Sequence, residues 1–316
     1  MFCSVICPIF NEEKHIKRLV NWYFSLKLVN FELILVDGGS SDRTLEILSD
    51  LSNSFDFKLI NNPKKYVSHG LNLAISASKG NILIRIDAHT IYSNDYFESI
   101  LKVFNAVDAD IVGGPTGFDF SVLSKFQRAV AFVFLSPFGM GNSSVHNLNY
   151  EGYTDSVTFG AWKKEIFDKV GFFDEELVRN QDDEFHYRCN EFGLKIYQSP
   201  EIKLFYFPRN TVSSLFRQYF EYGLNKPYVL LKNSNSIKFR HLAPVSFIVY
   251  LISLPFFGNS FLYFVPLLAY LLLIFHYSNK FKDNSYKPLI ALIYSIIHFA
   301  YGSGFLCGII YRPKLK

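Results

Sequence analysis

Val36-Asp37-Gly38-Gly39-Ser40-Ser41-Asp42 follows directly on the apolar run Phe31–Val36. A carboxylate, two glycines and two serines after a hydrophobic run describe a strand end, a tight turn and the start of a helix. The same grammar recurs on either side of it. Phe2–Cys7 is an apolar run closed by Pro8, and Asn81–Ile86 is closed by Asp87-Ala88-His89. Phe57–Ile60 and Asp110–Val112 read as two more strands. Between them, Glu13–Leu28 carries Ile16, Leu19, Val20, Tyr23 and Phe24 at helical spacing, and Thr44–Leu51, Leu71–Ala77 and Tyr96–Phe104 also read as helices. Strands alternating with helices predict an α/β domain with a mostly parallel sheet and helices on both faces. In such sheets ligands bind beyond the carboxyl ends of the strands, which is where Asp37 and Asp87 fall. Asp182-Asp183-Glu184 opens a further helical pattern.

The 316 residues suffice for one sizeable α/β domain and an appendage. Apolar residues make up 49% and aromatics 18%, concentrated toward the C-terminus, where no formal charge occurs from Leu242 to His276 or from Pro288 to Tyr311. A membrane span needs about 20 apolar residues, so this region predicts two or three membrane segments. Gly258-Asn259-Ser260 divides the first run into Ala243–Phe257 and Phe261–Tyr277, which fits a tight hairpin or a re-entrant pair. Gly302-Ser303-Gly304 is a candidate bend in the last segment. Arg209, Arg217, Lys226, Lys232, Lys238 and Arg240, against the single acid Glu221, precede the first run, and Lys280, Lys282 and Lys287 follow Tyr277. Both clusters match the positive-inside bias and an attraction to anionic lipid. Met1–Pro8 lacks the basic start and the length of a secretory signal. Residues 1–240 are therefore expected in the cytoplasm, with Gly258–Ser260 turning on the far side. Three spans would set the basic tail Arg312–Lys316 outside, against that bias.

A net charge of +4 is too small to point to nucleic acid. Cys3, Cys7, Cys189 and Cys307 show no zinc spacing and are expected to be reduced, mostly packed thiols. No internal repeat or low-complexity segment interrupts the chain. Past Gly114 the strand–helix alternation gives way to the increasingly apolar Phe120–Leu135, then to turn residues at Ser136-Pro137-Phe138-Gly139-Met140-Gly141-Asn142. Val130–Leu135 reads either as a buried helix or, more sharply, as a membrane-surface helix or acceptor pocket near the bilayer.

An α/β pattern alone would also serve a dinucleotide-binding oxidoreductase. That function needs a glycine-rich turn after the first strand, whose backbone N–H groups hold pyrophosphate. Here the turn is Pro8-Ile9-Phe10-Asn11-Glu12-Glu13, with no glycine and two carboxylates that repel phosphate. Pyrophosphate bound here calls for a divalent cation.

Pro8 with Asn11-Glu12, Val36–Asp42, Asp87-Ala88-His89, and Gln181-Asp182-Asp183-Glu184 with Arg188 occur in the order seen in family 2 glycosyltransferases of the GT-A fold, which the chain resembles. It is most similar to the membrane-anchored branch that includes succinoglycan-type exopolysaccharide transferases, where Ser136–Gly139, Arg217–Phe220 and Tyr222-Gly223 also find counterparts. The resemblance covers residues 2–225. It implies a GT-A catalytic domain at 1–225, and the charge and hydropathy pattern adds a basic membrane-proximal linker at 226–241 and a membrane region at 242–316.

The resemblance further implies that Pro8, Asn11, Glu12, Asp37 and Gly38 line a nucleoside pocket, Asp37 accepting a hydrogen bond from a uracil ring. Ser68 and Asn72 match a region that packs along the nucleotide. Asp87 and His89, two residues apart on an extended segment, would both reach one ion. Imidazole suits manganese better than magnesium. Asp182 is implied as the catalytic base, with Asp183 one register away, and Arg217 and Gln218 as contacts to the diphosphate. Each also has a plainer use: a turn cap for Asp37, a helix end for Asn72, a helix-dipole partner for Asp182 and a membrane-facing basic strip for Arg217. The implied reaction is inverting transfer of a hexose from a nucleotide sugar, a UDP-sugar, to a lipid-linked or saccharide acceptor at the cytoplasmic membrane face. A processive polysaccharide synthase would need a Gln-x-x-Arg-Trp motif, and Trp22 and Trp162 are the only tryptophans. A non-catalytic membrane adaptor on the same fold would have lost the base or a metal ligand, and both are present.

Overall fold

The computed structural model describes residues 1–141, 143–232, 237–257 and 260–311. In chain order the elements are β1 (Cys3–Ile9), α1 (Ile16–Ser25), β2 (Phe31–Asp37), α2 (Thr44–Ser52), β3 (Lys58–Asn61), α3 (Val67–Ala77), β4 (Ile82–Arg85), β5 (Ile91–Tyr92), α4 (Tyr96–Ala106), β6 (Ile111–Gly114) and β7 (Thr116–Gly117). There follow α5 (Lys125–Phe134), α6 (Pro137–Met140), β8 (Gly152–Tyr153), β9 (Thr158–Lys163), α7 (Ile166–Val170), α8 (Gln181–Glu191), β10 (Ile196–Gln198) and β11 (Leu204–Phe205). The C-terminal part is helical: α9 (Val212–Lys232), α10 (Phe239–Phe257), α11 (Val265–Asn279) and α12 (Lys287–Ile310). Two compact units divide the chain. One is Met1–Gly117 with Asn147–Tyr206, the other Phe118–His146 with Phe207–Lys316.

In the first unit an eight-stranded sheet runs in the order β3-β2-β1-β4-β9-β6-β10-β8, beside a small sheet β5-β11-β7. Strands β3, β2, β1 and β4 pair in parallel, whereas β9 is antiparallel to both β4 and β6. The sheet is mostly parallel, as the alternation predicts. Along β1, Cys3, Val5, Cys7 and Ile9 join one buried layer and Ile6 the other; along β2, Leu33 and Leu35 join the first, Ile34 and Val36 the second. That is the two-residue repeat of a pleated strand. Helices α1, α2 and α4 cover the first face with Ile16, Leu19, Leu48, Phe97 and Ile100. Helices α3, α7 and α8 cover the second with Leu71, Ile75, Phe167, Phe185 and Cys189. Strands buried on both faces read as continuous apolar runs, which is why β1, β2 and β4 stand out in the sequence.

Chain direction across the sheet places the site. From β1 the chain steps one way to β2 and β3, then back to the other side of β1 for β4. The gap between the carboxyl ends of β1 and β4 is therefore a topological switch point, the place where open α/β sheets bind ligands.

The second unit is built of helices. Ser124 starts α5 with a capping box, its side chain accepting from the Gln127 N–H while the Gln127 side chain accepts from the Ser124 N–H. Ala129, Val130, Ala131, Val133 and Phe134 of α5 are buried, and the helix packs on α12, so this stretch takes the first of its two sequence readings. Three stretches, Phe239–Phe257, Phe261–Asn279 and Asn284–Ile310, are long and apolar enough to cross a membrane. Gly258 and Asn259, where the hairpin turn is expected, and the tail Arg312–Lys316 lie outside the described residues.

Gly302-Ser303-Gly304 does not bend the last segment, because α12 runs unbroken through it. The glycines serve close packing instead. A Cβ on Gly304 would collide with the Phe220 carbonyl of α9, one on Gly308 with the Leu224 carbonyl, and one on Gly223 with the Tyr301 carbonyl. Each interior helical glycine costs about 1 kcal/mol relative to alanine, offset here by backbone-to-backbone contact of the small-xxx-small kind. His298 of α12 lies 3.0 Å through Nε2 from the Phe138 carbonyl and 3.1 Å through Nδ1 from the Tyr270 hydroxyl, so α12 and α11 hold the α6 turn between them.

Candidate active site

Two loops are stitched together at the carboxyl end of the first unit's sheet. Asn11, left-handed at φ 55°, accepts from the Ser41 N–H at 2.8 Å, and its own N–H donates to Ser40 Oγ at 2.9 Å. The Glu12 N–H donates to Thr44 Oγ1 at 2.8 Å. Asp37, at the end of β2, is buried and accepts from the N–H groups of Gly39 and Ser40 and from the Ser40 hydroxyl, at 2.9, 3.0 and 2.6 Å. A carboxylate has about four acceptor positions, so one more donor can be received. The Gly38 N–H donates to the Ile9 carbonyl at 2.9 Å, and a Cβ there would sit 2.8 Å from the Lys65 carbonyl. Only glycine lets β2 leave the sheet so close to that backbone.

Across the switch point, Asp87 follows β4 and its N–H donates to the Tyr92 hydroxyl at 2.7 Å. His89 Nδ1 lies 2.9 Å from Glu12 Oε1. Donation from Nδ1 to that carboxylate leaves the imidazole lone pair on Nε2, the arrangement that orients histidines toward metal ions. Among the described residues no group of three or more His, Cys, Asp and Glu side chains is set to hold a metal on its own. Asp87 and His89 offer one carboxylate and one imidazole, donor types that a divalent cation accepts. Negative charge gathers around them: the Cys7 thiol is pushed well up by burial, and further by Asp87 and Glu12.

Arg85 is the residue that sequence reading missed. It closes β4 with a side chain only 5% exposed, donates from Nη1 to Asp182 Oδ1 at 2.6 Å, and donates from Nε to Asp87 Oδ1 at 3.3 Å. Burial disfavours its charge, but Asp182 and then Asp87 outweigh that and hold its pKa above the ordinary value. The site thus brings Asp87 and Asp182 to one guanidinium although they are far apart in the chain. A signal was available, since a lone arginine in the apolar run Ile82–Ile86 is buried at a cost unless it is paired. Phe159 was missed too. It has φ 58°, a left-handed conformation costing a non-glycine residue about 1–3 kcal/mol, and its ring centroid lies 5.3 Å from the Arg85 guanidinium carbon.

The other sequence-predicted residues have these places. Asp182 lies in the first turn of α8 with Asp183 and Glu184, where acids favour the helix dipole, and its side chain is 35% exposed. Glu184 pairs with Arg188, which also donates to the carbonyls of Val170 and Phe172. Pro8 lies within β1, opposite Val36 of β2. Ser68 is buried and donates to the Leu177 carbonyl at 3.3 Å. Asn72 donates to the Phe173 carbonyl and to Glu175, and accepts from the Phe173 N–H. These two side chains tie α3 to residues 173–177. Arg217 and Gln218 lie on α9, in the second unit.

The model of Glycosyl transferase family 2 matches residues 4–171. Succinoglycan biosynthesis protein ExoA of Rhizobium meliloti is 30% identical over 311 residues, 95% of this chain and 93% of that protein. Dolichyl N-acetyl-alpha-D-glucosaminyl phosphate 3-beta-D-2,3-diacetamido-2,3-dideoxy-beta-D-glucuronosyltransferase of Methanococcus voltae is 27% identical over 98% of this chain and 97% of its own length. Among solved structures, mannosyltransferase PcManGT from Pyrobaculum calidifontis, in complex with GDP-Man and Mn2+, shares the fold with a TM-score of 0.64 at 14% identity, covering 96% of this chain and 86% of that one. S. aureus TarS in complex with UDP-GlcNAc gives 0.52 at 16% identity, covering 97% and 91%.

Proposed function

The chain belongs to glycosyl transferase family 2 and is a glycosyltransferase with a GT-A-like fold, and from that premise we propose an inverting enzyme of glycan synthesis. It moves a hexose from a nucleotide sugar, a UDP-sugar, to a hydroxyl of a lipid-linked or saccharide acceptor, in cell-surface or exopolysaccharide assembly. One observation carries the reading. Asn11, Glu12, Asp37, Asp87, His89 and Asp182 gather at the carboxyl edge of the sheet beside its switch point, joined through Arg85, Ser40 and the Glu12–His89 contact.

In this reading Pro8, Asn11, Glu12 and Gly38 form the floor of the nucleoside pocket, and Asp37 uses its remaining acceptor position on a uracil ring N–H. Ser68 and Asn72 support that floor by holding residues 173–177. The resemblance assigns Arg217 and Gln218 of α9 to the diphosphate leaving group. Asp87 and His89 would hold a divalent cation, which when bound neutralises charge on the departing diphosphate. Asp182 keeps Oδ1 on Arg85 and takes the acceptor hydroxyl proton on Oδ2 as the new C–O bond forms. Release of UDP, measured against a panel of nucleotide sugars with a membrane extract as acceptor, tests the whole reading. No release with any donor would remove it.

The membrane face is part of the proposal. Basic residues before α10 and around Lys280–Lys287 favour the cytoplasmic side, so α10 would cross outward and α11 return. With Cys307, the one exposed cysteine among the described residues, replaced by serine, Asn259→Cys should react with an impermeant maleimide in intact cells. Lys282→Cys should react only after permeabilisation. The reverse pattern would invert the topology.

A further inference from the structure

We propose that Arg85 is a positioning residue for transfer and that Phe159 fixes Arg85 in that role. The inference rests on the reading of Asp182 as base and Asp87 as the carboxylate facing the diphosphate. Arg85 is buried, and it spends two different nitrogens on two different carboxylates, Nη1 on Asp182 at 2.6 Å and Nε on Asp87 at 3.3 Å. A planar guanidinium is a rigid fork, so these two bonds fix the carboxylates relative to each other. A lysine ammonium, a single point on a flexible stem, cannot reproduce both.

The guanidinium is itself held. Strand β9 departs from regular pairing with β6 between Val112 and Gly114, and Phe159 and Gly160 there both have positive φ, 58° and 86°. Irregularities of this kind beside active sites re-aim a side chain. Here the Phe159 ring comes to lie 5.3 Å from the Arg85 guanidinium carbon, within cation–π range. Two carboxylates and an aromatic face thus bear on one buried cation. Asp182 is left with one oxygen committed and the other, on a partly exposed side chain, available to an acceptor. Arg85 thereby does for Asp182 what a hydrogen-bonded carboxylate does for a catalytic histidine: it removes a rotation that would spoil the approach to the hydroxyl.

The test compares kcat and donor KM of the full-length protein in detergent with those of Arg85→Met, Arg85→Lys and Phe159→Leu, all per mole of folded protein. Arg85→Met should lower kcat by about 10²-fold, the low end of what a well-placed base contributes, with a far smaller change in KM. Arg85→Lys should recover part of that loss, and Phe159→Leu should fall between the lysine variant and the native protein. The deciding measurement is the double substitution. In an Asp182→Asn background, Arg85→Met should cost almost nothing more, because groups acting as a unit are not additive. Should Arg85→Met fail to fold, Phe159→Leu with Asp182→Asn supplies the same comparison. Unchanged kcat per folded molecule, or losses that multiply fully in the double variant, would overturn the positioning role. An active Asp182→Asn removes the underlying reading instead, so the two failures are told apart.

Discussion

Asp182→Asn is expected to lower kcat by about 10²- to 10⁴-fold, the usual contribution of a positioned general base, while donor binding changes little. The acceptor hydroxyl holds its proton far above neutral pH, so the proton must leave as the bond to the sugar forms. Asparagine keeps the shape of the side chain and can still accept from Arg85, so the fold and the Asp87 side of the site are preserved. What it loses is the second carboxylate oxygen that takes the proton. A single base opposite the leaving group also implies one in-line displacement, so an α-linked donor should yield a β-linked product. Donor titration calorimetry, steady-state rates and NMR of the product together examine this. If Asp183→Asn were the dead variant and Asp182→Asn active, the register would be off by one residue. Retention of anomeric configuration would rule out the single displacement altogether.

Removal of divalent cations should have an effect at least as large. Excess chelator is expected to abolish transfer and to weaken binding of the nucleotide sugar, and Asp87→Ala should do the same in the presence of metal. Manganese should restore activity at least as well as magnesium, because an imidazole at His89 suits the softer ion. His89→Asp should keep part of the activity and move the preference toward magnesium, whose ligands are oxygen. Calorimetry of donor binding with and without metal gives a readout independent of turnover. Full activity in chelator would exclude this role for Asp87 and His89.

The parallel half of the sheet was legible because β1, β2 and β4 are buried on both faces and therefore unbroken in hydrophobicity. Strand β9 was not. Thr158-Phe159-Gly160-Ala161-Trp162-Lys163 is interrupted by glycine, carries two left-handed residues, and owes its strand character to neighbours β4 and β6. The two-residue strands of the small sheet exist only as partners of one another, so no local pattern marks them. Within the site, carboxylates at strand ends could be read directly, whereas the link between them could not. Asp87 and Asp182 meet through Arg85, a residue that a hydropathy reading absorbs into its strand. Ser68 and Asn72 illustrate the converse: their partners Leu177 and Phe173 lie about a hundred residues further on, and nothing near them in sequence announces the bond.

The clamp that α12 places on the α6 turn has a consequence for how the protein is made. Phe138 and His298 are separated by 160 positions in the chain. At about 5–20 residues per second a ribosome needs roughly 8–32 s to cover that interval. Through it the apolar face of α5 and the Ser136–Gly141 turn have left the ribosome while the helix that covers them does not yet exist. A nascent chain with that much uncovered apolar surface needs temporary cover, and α10 and α11, long and apolar enough to cross a membrane, are made within the same interval. Helix α12 therefore closes a site opened 160 positions earlier in the chain, and the half-made chain depends on prompt cover for that surface.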